Sequence, residues 1–461
     1  MHTYDLSGGK LCDMLPAALR ADILSGAIAP GEKLPSKRRM AEHHGISVNT
    51  VQNAYEQLIA EGYIEARERS GYFVADLPPD LPTAAGVAAS AAEEPAQKPL
   101  LDLSANTPDG SRFPFALWAR LMRRTLAEEA ERLLASVPAA GAPALREAIA
   151  EYLRAGRGIA VDPVQIVIGA GTEYLYQMLL QLLGRGRRFG LENPGHSKIA
   201  RIYTVNGVDF CPVPVDEGGV DPDQLERLSV EVLQISPNHH FPTGIVTPAP
   251  RRRALLHWMQ AGDRYIIEDD YDSEFRFSGR PIPPLFGMDT ADRVIYVNTF
   301  SKTIAPSMRI SYMVLPKALL AKYHELLGFY ACPVPAFEQY TLARFLREGH
   351  FERHLHRMRA FYRARRDEVI GLLQNAPFAK HIRIREADAG LHFLVELLTR
   401  RTDAELRQMF QKAGIRVAFL GDYRIDGTHP DTRTVLVNYS GVDPQELSRA
   451  VARLAAFLKE N

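Results

Sequence analysis

Only three cysteines occur in 461 residues, Cys12, Cys211 and Cys332, and they lie far apart. They form neither a metal-ligand spacing nor an even set. This excludes a disulfide scaffold and a cysteine-built metal centre, and fits a reducing cytoplasm. No metal is expected. Net charge is missing too, because 55 Lys and Arg balance 55 Asp and Glu. A nucleic-acid site must therefore be local rather than a property of the whole surface. No apolar run approaches the roughly 20 residues of a membrane-spanning helix, and the first ten residues are polar, without the apolar stretch of a secretory leader. The expectation is a cytoplasmic chain with no membrane partner.

What is present is a globular composition, 46% hydrophobic and 24% charged, long enough for two or three domains of about 150 residues that need no covalent staple. The clearest boundary is residues 76–99, with Pro78, Pro79, Pro82, Ala84, Ala85, Glu93, Glu94 and Pro95. Such a stretch buries too little apolar surface to offset its ordering entropy and reads as a linker. The expected division is a domain at 1–75, a linker at 76–99 and a long domain at 100–461.

In the first domain, Leu15, Leu19, Ile23 and Leu24 mark one face of a helix over 13–27. Ser36 is placed to cap a second helix ending at His44. Ser47 is placed to cap a third through Glu61, with Val51, Tyr55 and Leu58 turned inward. Residues 63–66 and 72–74 read as strands of a hairpin. Helix, turn, helix and hairpin make a winged helix-turn-helix, whose third helix enters the major groove of a duplex. Ser47, Asn49, Thr50 and Asn53 are short or amide side chains at its start, suited to bases or phosphates. Lys37 and Arg38, followed by Arg39, gather charge at the second helix, and Arg67 and Arg69 lie on the hairpin turn. A basic run alone usually marks a solvated helix face, and residues 1–75 hold eight basic against nine acidic residues. Order and spacing carry the reading instead.

The stretches Gly31-Glu32-Lys33-Leu34-Pro35-Ser36-Lys37-Arg38, Ser47-Val48-Asn49-Thr50-Val51, Leu58-Ile59-Ala60-Glu61-Gly62-Tyr63-Ile64 and Ser70-Gly71-Tyr72-Phe73-Val74 closely resemble the GntR family of bacterial regulators. The resemblance implies that Arg38, the start of the third helix and the wing contact operator DNA.

In the long domain, apolar runs at 166–168, 232–235, 265–267 and 294–297 alternate with helical segments. This predicts an α/β domain with a mostly parallel sheet covered on both faces, and a smaller α+β part from Ile382 onward. Pyridoxal 5'-phosphate chemistry needs a lysine for the imine, a carboxylate at the ring nitrogen, a donor at the 3-oxygen and a phosphate cradle. Each has a candidate at a strand end, where open parallel sheets bind ligands. Lys302 follows 294–297, and Asp269 and Tyr271 follow 265–267. Gly169-Ala170-Gly171-Thr172 follows 166–168 and opens a helix whose free amides suit a phosphate. Arg309, seven residues after Lys302, adds a permanent charge.

Together with Leu145-Arg146-Glu147-Ala148-Ile149, Glu192-Asn193-Pro194-Gly195, His240-Phe241-Pro242-Thr243-Gly244 and Ser301-Lys302-Thr303-Ile304-Ala305-Pro306-Ser307-Met308-Arg309, these motifs resemble fold-type I aminotransferases over about 350 residues. Joined to a GntR-like head, the chain is similar to the MocR subfamily. The resemblance implies that Lys302 carries the aldimine, Asp269 pairs the ring nitrogen and Tyr271 bonds the 3-oxygen. Gly171, Thr172, Thr299 and Arg309 would hold the phosphate. The pattern departs at three places. His196 stands where an aromatic residue usually stacks on the ring. Ser136-Val137 replaces a tyrosine that reaches a neighbouring subunit. Leu436 replaces the arginine that forks onto a substrate carboxylate. Lys198 and Arg433 are the remaining cations placed for an anionic ligand group. The expected protein is a homodimeric regulator that binds operator DNA and senses an amine, an amino acid or the cofactor itself, with at most residual transaminase turnover. An active aminotransferase with an ancillary DNA-binding head stays open, since Lys302 can act as general base.

Overall fold

The computed structural model describes residues 3–4, 11–76, 99–105, 112–277 and 282–459. Two compact units make up the chain, Met1–Gln97 and Lys98–Asn461. The linker expected at 76–99 lies almost wholly outside the described residues.

The first unit contains α1 (Leu11–Leu24), α2 (Lys37–His44), α3 (Val48–Ala60), β1 (Ile64–Arg67) and β2 (Gly71–Val74). Ser36 and Ser47 adopt extended backbone, and their hydroxyls accept the amides of Arg39 and Thr50, so each caps its helix as its position predicts. Gly45 ends α2 with φ of 63°, a left-handed turn that glycine takes without steric cost. The helix expected over 13–27 stops at Leu24, and Leu24 is 37% exposed rather than turned to the core. Leu15, Leu19 and Ile23 alone form the buried stripe, packing on Val51, Ala54, Tyr55 and Leu58. The Tyr55 hydroxyl reaches the Pro35 carbonyl at 2.9 Å, which satisfies a polar group in that core. Ile64 pairs with Val74 and Arg67 with Gly71 across the hairpin.

The second unit begins with β3 (Leu101–Asp102). Eight strands then form one sheet: β4 (Ile166–Gly169), β5 (Phe189–Asn193), β6 (Phe210–Asp216), β7 (Gly219–Val220), β8 (Val232–Ile235), β9 (Tyr265–Asp269), β10 (Val294–Thr299) and β11 (Ser311–Val314). Their order is β4-β11-β10-β9-β8-β5-β6-β7. The pairs from β6 through β5, β8 and β9 to β10 are parallel, and β11 runs antiparallel between β10 and β4. Alternation divides the side chains between two faces. Val167, Ile267, Ile295, Val297 and Met313 pack under the helices Thr172–Leu183, Ser197–Val205 and Lys317–Leu327. Ile166, Ile168, Tyr296, Tyr312 and Val314 pack under Pro143–Arg157 and Ala336–Arg347. Both faces are covered, as the apolar runs predict.

The last strands, β12 (Ile382–Arg385), β13 (His392–Leu397), β14 (Ile415–Arg416), β15 (Ala418–Phe419) and β16 (Thr434–Asn438), build a smaller layer. A four-stranded antiparallel sheet runs β12-β13-β16-β15, and β14 pairs with β3. This layer reaches further than the sequence boundary at Ile382. Its core takes Leu101 and Leu103 from the start of the unit, and Met358, Tyr362 and Val369 from the helix His350–Gln374. Among the described residues no helix is long and apolar enough to cross a membrane.

Behind β9 lies a buried ion pair. Arg157, at the end of its helix, donates to Asp270, which also accepts from the Tyr296 hydroxyl at 2.5 Å and from Asn238 Nδ2 at 2.8 Å. The Arg157 and Asp270 side chains are 8% and 0% exposed. Removing one partner strands the other charge in a low-dielectric interior. Arg157→Ala should therefore lower the stability of the second unit by about 3–5 kcal/mol, read as a shifted denaturant midpoint with an unchanged slope.

Candidate functional site

In the first unit the candidate DNA-contacting residues lie on α2, on α3 and its cap, and on the hairpin. Asn49 and Asn53 are exposed on α3, Arg38 on α2, and Arg67 and Arg69 on the hairpin, while Lys37 and Thr50 are half-buried. Lys37 ties the pieces together: its Nζ donates to Gln52 Oε1 at 3.4 Å and stands 5.9 Å from the centre of the Tyr72 ring. The Ser47 hydroxyl already serves as a cap, 3.0 Å from the Thr50 amide and 2.8 Å from the Thr50 hydroxyl. The Arg67 guanidinium lies 4.5 Å over the Phe73 ring, which holds it on the wing.

In the second unit, a cavity of about 490 Å³ opens at the carboxyl ends of the parallel strands. Thr172, His196, Lys198, Asp269, Tyr271, Thr299, Lys302 and Arg309 all line it. The fold brings them together by ending β4, β5, β9 and β10 at one edge. Gly171 lies directly behind, with φ of 96°. A Cβ there would fall 2.1 Å from Arg309 Nη2 and 2.9 Å from Glu173 Oε2, so only glycine lets the guanidinium close on the helix start. The helix Thr172–Leu183 has no side-chain cap at Gly171, and Thr172 at its start lines the cavity.

Asp269 sits in the cavity floor. The Tyr176 hydroxyl donates to its Oδ2, while Oδ1 is buried with no partner among the described residues. Burial pushes this carboxyl up to about 7, against the pull of the Tyr176 bond. Burial likewise pushes the Lys302 ammonium below its ordinary range; Asp272 opposes this and Lys198 reinforces it. A lowered amine is more often neutral and better able to attack a carbonyl. The His196 ring lies at the rim, 5.3 Å from Phe241 and tilted by 37°, and its Nδ1 accepts the Lys198 amide at 3.3 Å. Thr299 Oγ1 is engaged by the Ser301 amide at 3.1 Å and the Ser311 hydroxyl at 2.8 Å.

Arg433 is not brought in. It does not line the cavity; its Nε donates to the Arg401 carbonyl at 3.0 Å and its amide to Asp403 at 2.7 Å. Leu436 is fully buried opposite Leu394. Sequence reasoning also passed over several residues. Glu173 bridges Lys198 at 3.0 Å and Arg309 at 2.6 Å. Although burial raises it, its own amide, Arg309 and Lys198 hold it near about 2. Glu192 lines the cavity and is pushed by burial up to about 8, against the Ser236 amide that bonds it. The Ser301 hydroxyl, next to Lys302, is buried and lacks a partner among the described residues. Tyr176 had a usable signal, a polar residue four positions into the helix that opens at Gly171. Glu192 had one in its place at the end of β5.

Residues 98–454 match the family described as aminotransferase class I and II, and residues 11–74 match bacterial regulatory proteins of the gntR family. The chain is similar to the uncharacterized HTH-type transcriptional regulator YdeL of Bacillus subtilis (strain 168), at 36% identity over 442 residues covering 94% of each chain. It is also similar to the probable rhizopine catabolism regulatory protein MocR of Rhizobium meliloti, at 34% identity over 457 residues, 95% of this chain and 92% of the relative. An archaeal alanine:glyoxylate aminotransferase crystal structure superposes with a TM-score of 0.68 and 25% identity, covering 78% of this chain and 91% of that one.

The state of Asp269 can be measured without any ligand. Its carboxyl moves from an ordinary 3.8 to about 7 on folding, so the native protein holds a proton that the unfolded chain has lost. The stability this proton carries is present below about pH 4 and is lost as pH rises to about 7. The stability of Asp269→Asn relative to the parent, both cofactor-free, should therefore grow with pH across that window, by up to about 1.4 kcal/mol per pH unit. It should level off above the window; denaturant titrations from pH 4 to 9 check this.

Proposed function

Because the chain belongs to the MocR-like subfamily, in which a GntR-type helix-turn-helix precedes a fold-type I aminotransferase domain, we propose that it is a cytoplasmic one-component transcription regulator whose second unit holds pyridoxal 5'-phosphate at Lys302. One observation carries the reading. A single cavity joins a half-buried lysine with a lowered ammonium, a buried carboxylate with one bare oxygen, and a glycine-opened helix start closed by an arginine.

The residues present fit the cofactor. Asp269 Oδ1, without a partner among the described residues, would take the ring nitrogen and its proton. Tyr271, which lines the cavity, would bond the 3-oxygen. Gly171, Thr172, Thr299 and Arg309 would hold the phosphate, and His196, at the rim, would offer a ring face. When bound, the cofactor supplies a carbonyl and an electron sink for an amine ligand. The chain's own part is to orient it, to keep the ring nitrogen protonated through Asp269, and to keep the Lys302 amine reactive.

The effector is an amine, an amino acid or the cofactor itself. Lys198 stays as a cation at the cavity mouth, whereas Arg433 is occupied elsewhere. Binding switches DNA occupancy only if the ligand prefers one arrangement of the protein; a few kcal/mol of preference suffices for a hundredfold change. The large exposed apolar side chains Phe115, Leu134 and Phe329 support a homodimer, in which a second copy covers them.

Loading the full chain with pyridoxal 5'-phosphate should give a visible absorption band and, after borohydride, a mass adduct on Lys302. Lys302→Ala should lose both while keeping the parent's circular dichroism, and an unchanged band would reject the assignment. In the first unit, Arg38→Ala should weaken operator binding and lower the slope of log affinity against log salt by about one. An unaltered slope would remove Arg38 from the phosphate contacts.

A further inference from the structure

Behind Tyr271 lies a pair of buried groups to which the cavity chemistry has so far given no role. His239 and Asp272 are each 2% exposed. His239 Nδ1 lies 3.0 Å from both Asp272 carboxylate oxygens and 3.1 Å from the Tyr271 hydroxyl oxygen. The ring is fixed from the other side. A Cβ on Gly390, whose φ is 70°, would fall 1.8 Å from His239 Cε1, and the His392 ring lies 4.6 Å away.

We propose that Asp272 and His239 are a positioning pair that dictates where Tyr271 sends its hydrogen, directing it into the cavity. A carboxylate has no hydrogen to give, so the one between Asp272 and the ring sits on Nδ1. The opposite tautomer leaves two faults, because Asp272 would face a lone pair and Nε2, which is buried without a partner among the described residues, would carry a stranded N–H. With Nδ1 as donor, the Tyr271 oxygen on this side can only accept. Its own hydrogen is then left for the cavity, which Tyr271 lines. Burial holds the Tyr271 phenol well above its ordinary range, so that hydrogen stays in place. The charged and titratable groups around Tyr271 and the pair behind it are Asp269 at the end of β9, Asp270 and Asp272 after it, Glu192 from β5, His239 and His240 beyond β8, His392 from β13, and Lys302 beyond β10.

This inference rests on the reading that the cavity holds pyridoxal 5'-phosphate, with Tyr271 beside the 3-oxygen. A hydrogen bond donated to that oxygen favours its anion and lowers the pH at which the bound cofactor's visible band changes. Asp272→Asn supplies an amide hydrogen of its own, frees the ring to accept on Nδ1, and lets Tyr271 turn back to it. In the loaded full-length protein the band transition should then move upward by about one pH unit or more. Simple electrostatics gives the opposite sign, since removing a negative charge near Lys302 disfavours protonation and moves the transition downward. Tyr271→Phe should reproduce the upward shift, and the double variant should add nothing to it. Nitrogen-15 shifts of His239 in the cofactor-free parent should place its hydrogen on Nδ1; finding it on Nε2 overturns the pair even if Asp272→Asn fails to fold. A parent chain that takes up no colour defeats the cofactor reading. A coloured parent whose Asp272→Asn band stays or moves down defeats the positioning pair alone.

Discussion

The side-chain alternation of β9 is the constraint on which the site rests. In the run Tyr265–Asp269, continued by Asp270, successive residues must face opposite sides of the sheet. Glu268 and Asp270 therefore turn to the face of the helix that ends at Arg157. There the amides of Leu285 and Phe286 bond Glu268 at 3.0 and 2.9 Å, and Arg157, Asn238 and Tyr296 bond Asp270. Asp269 turns the other way, toward Tyr176 and the cavity. Three adjacent carboxyl groups are tolerable because the sheet separates them and gives each a different partner set. The two structural ones are fully supplied with donors. The one that faces the cavity has an oxygen with no partner among the described residues, at the usual cost of a buried unpaired polar atom.

A similar division governs the cations. Arg309 and Lys198 converge at the cavity mouth, and Glu173 lies between them, bonded to both. A dianionic phosphate at the helix start would compete with that carboxylate for Arg309 and for the Glu173 amide, to which the same side chain bonds. Lys302 is different in kind. Burial disfavours its charge, and Asp272, which opposes that effect, belongs to the pair behind Tyr271. The cations at the rim stand in contact with a carboxylate, whereas desolvation lowers the Lys302 ammonium in the cavity.

Much of this was legible in the sequence because it depends on local signals. Ser36, Ser47 and Gly45 fix the helices of the first unit through capping chemistry. The β-branched runs fix the sheet, and a residue just after such a run falls at the strand's carboxyl edge, which is why Thr172, Asp269, Thr299 and Lys302 gather in one cavity. What escaped depends on contacts distant in the chain. Nothing local in Leu101 and Leu103 indicates that they pack in the core of the small layer. Leu24 is apolar but stands about 100° round the helix from Ile23, off the stripe that Leu15, Leu19 and Ile23 bury. Arg433 has the right charge, yet the start of β16 directs it to Arg401 and Asp403. The His239 and Asp272 pair joins residues from two loops, and neither carries a motif.

The stitching of β3 has a functional consequence. The segment 99–105 is the first described stretch after the linker region, so through the chain it leads back toward the DNA-binding unit. Within the second unit it is part of the small layer: β3 pairs with β14, and Asn438 Nδ2 donates to the carbonyls of Leu103 and Ser104 at 3.3 and 3.1 Å. Ser104 also lines the cavity. The small layer meets the large sheet at the same place, through Asn193 Nδ2 to Asp426 at 2.8 Å and the Gly195 amide to the Tyr423 carbonyl at 2.9 Å, with Tyr423 itself in the cavity wall. Under the proposed sensing role, a ligand in this cavity would touch Ser104 in the first described segment of the unit as well as residues of both layers, and only a difference in its affinity between two arrangements of those layers would favour one over the other.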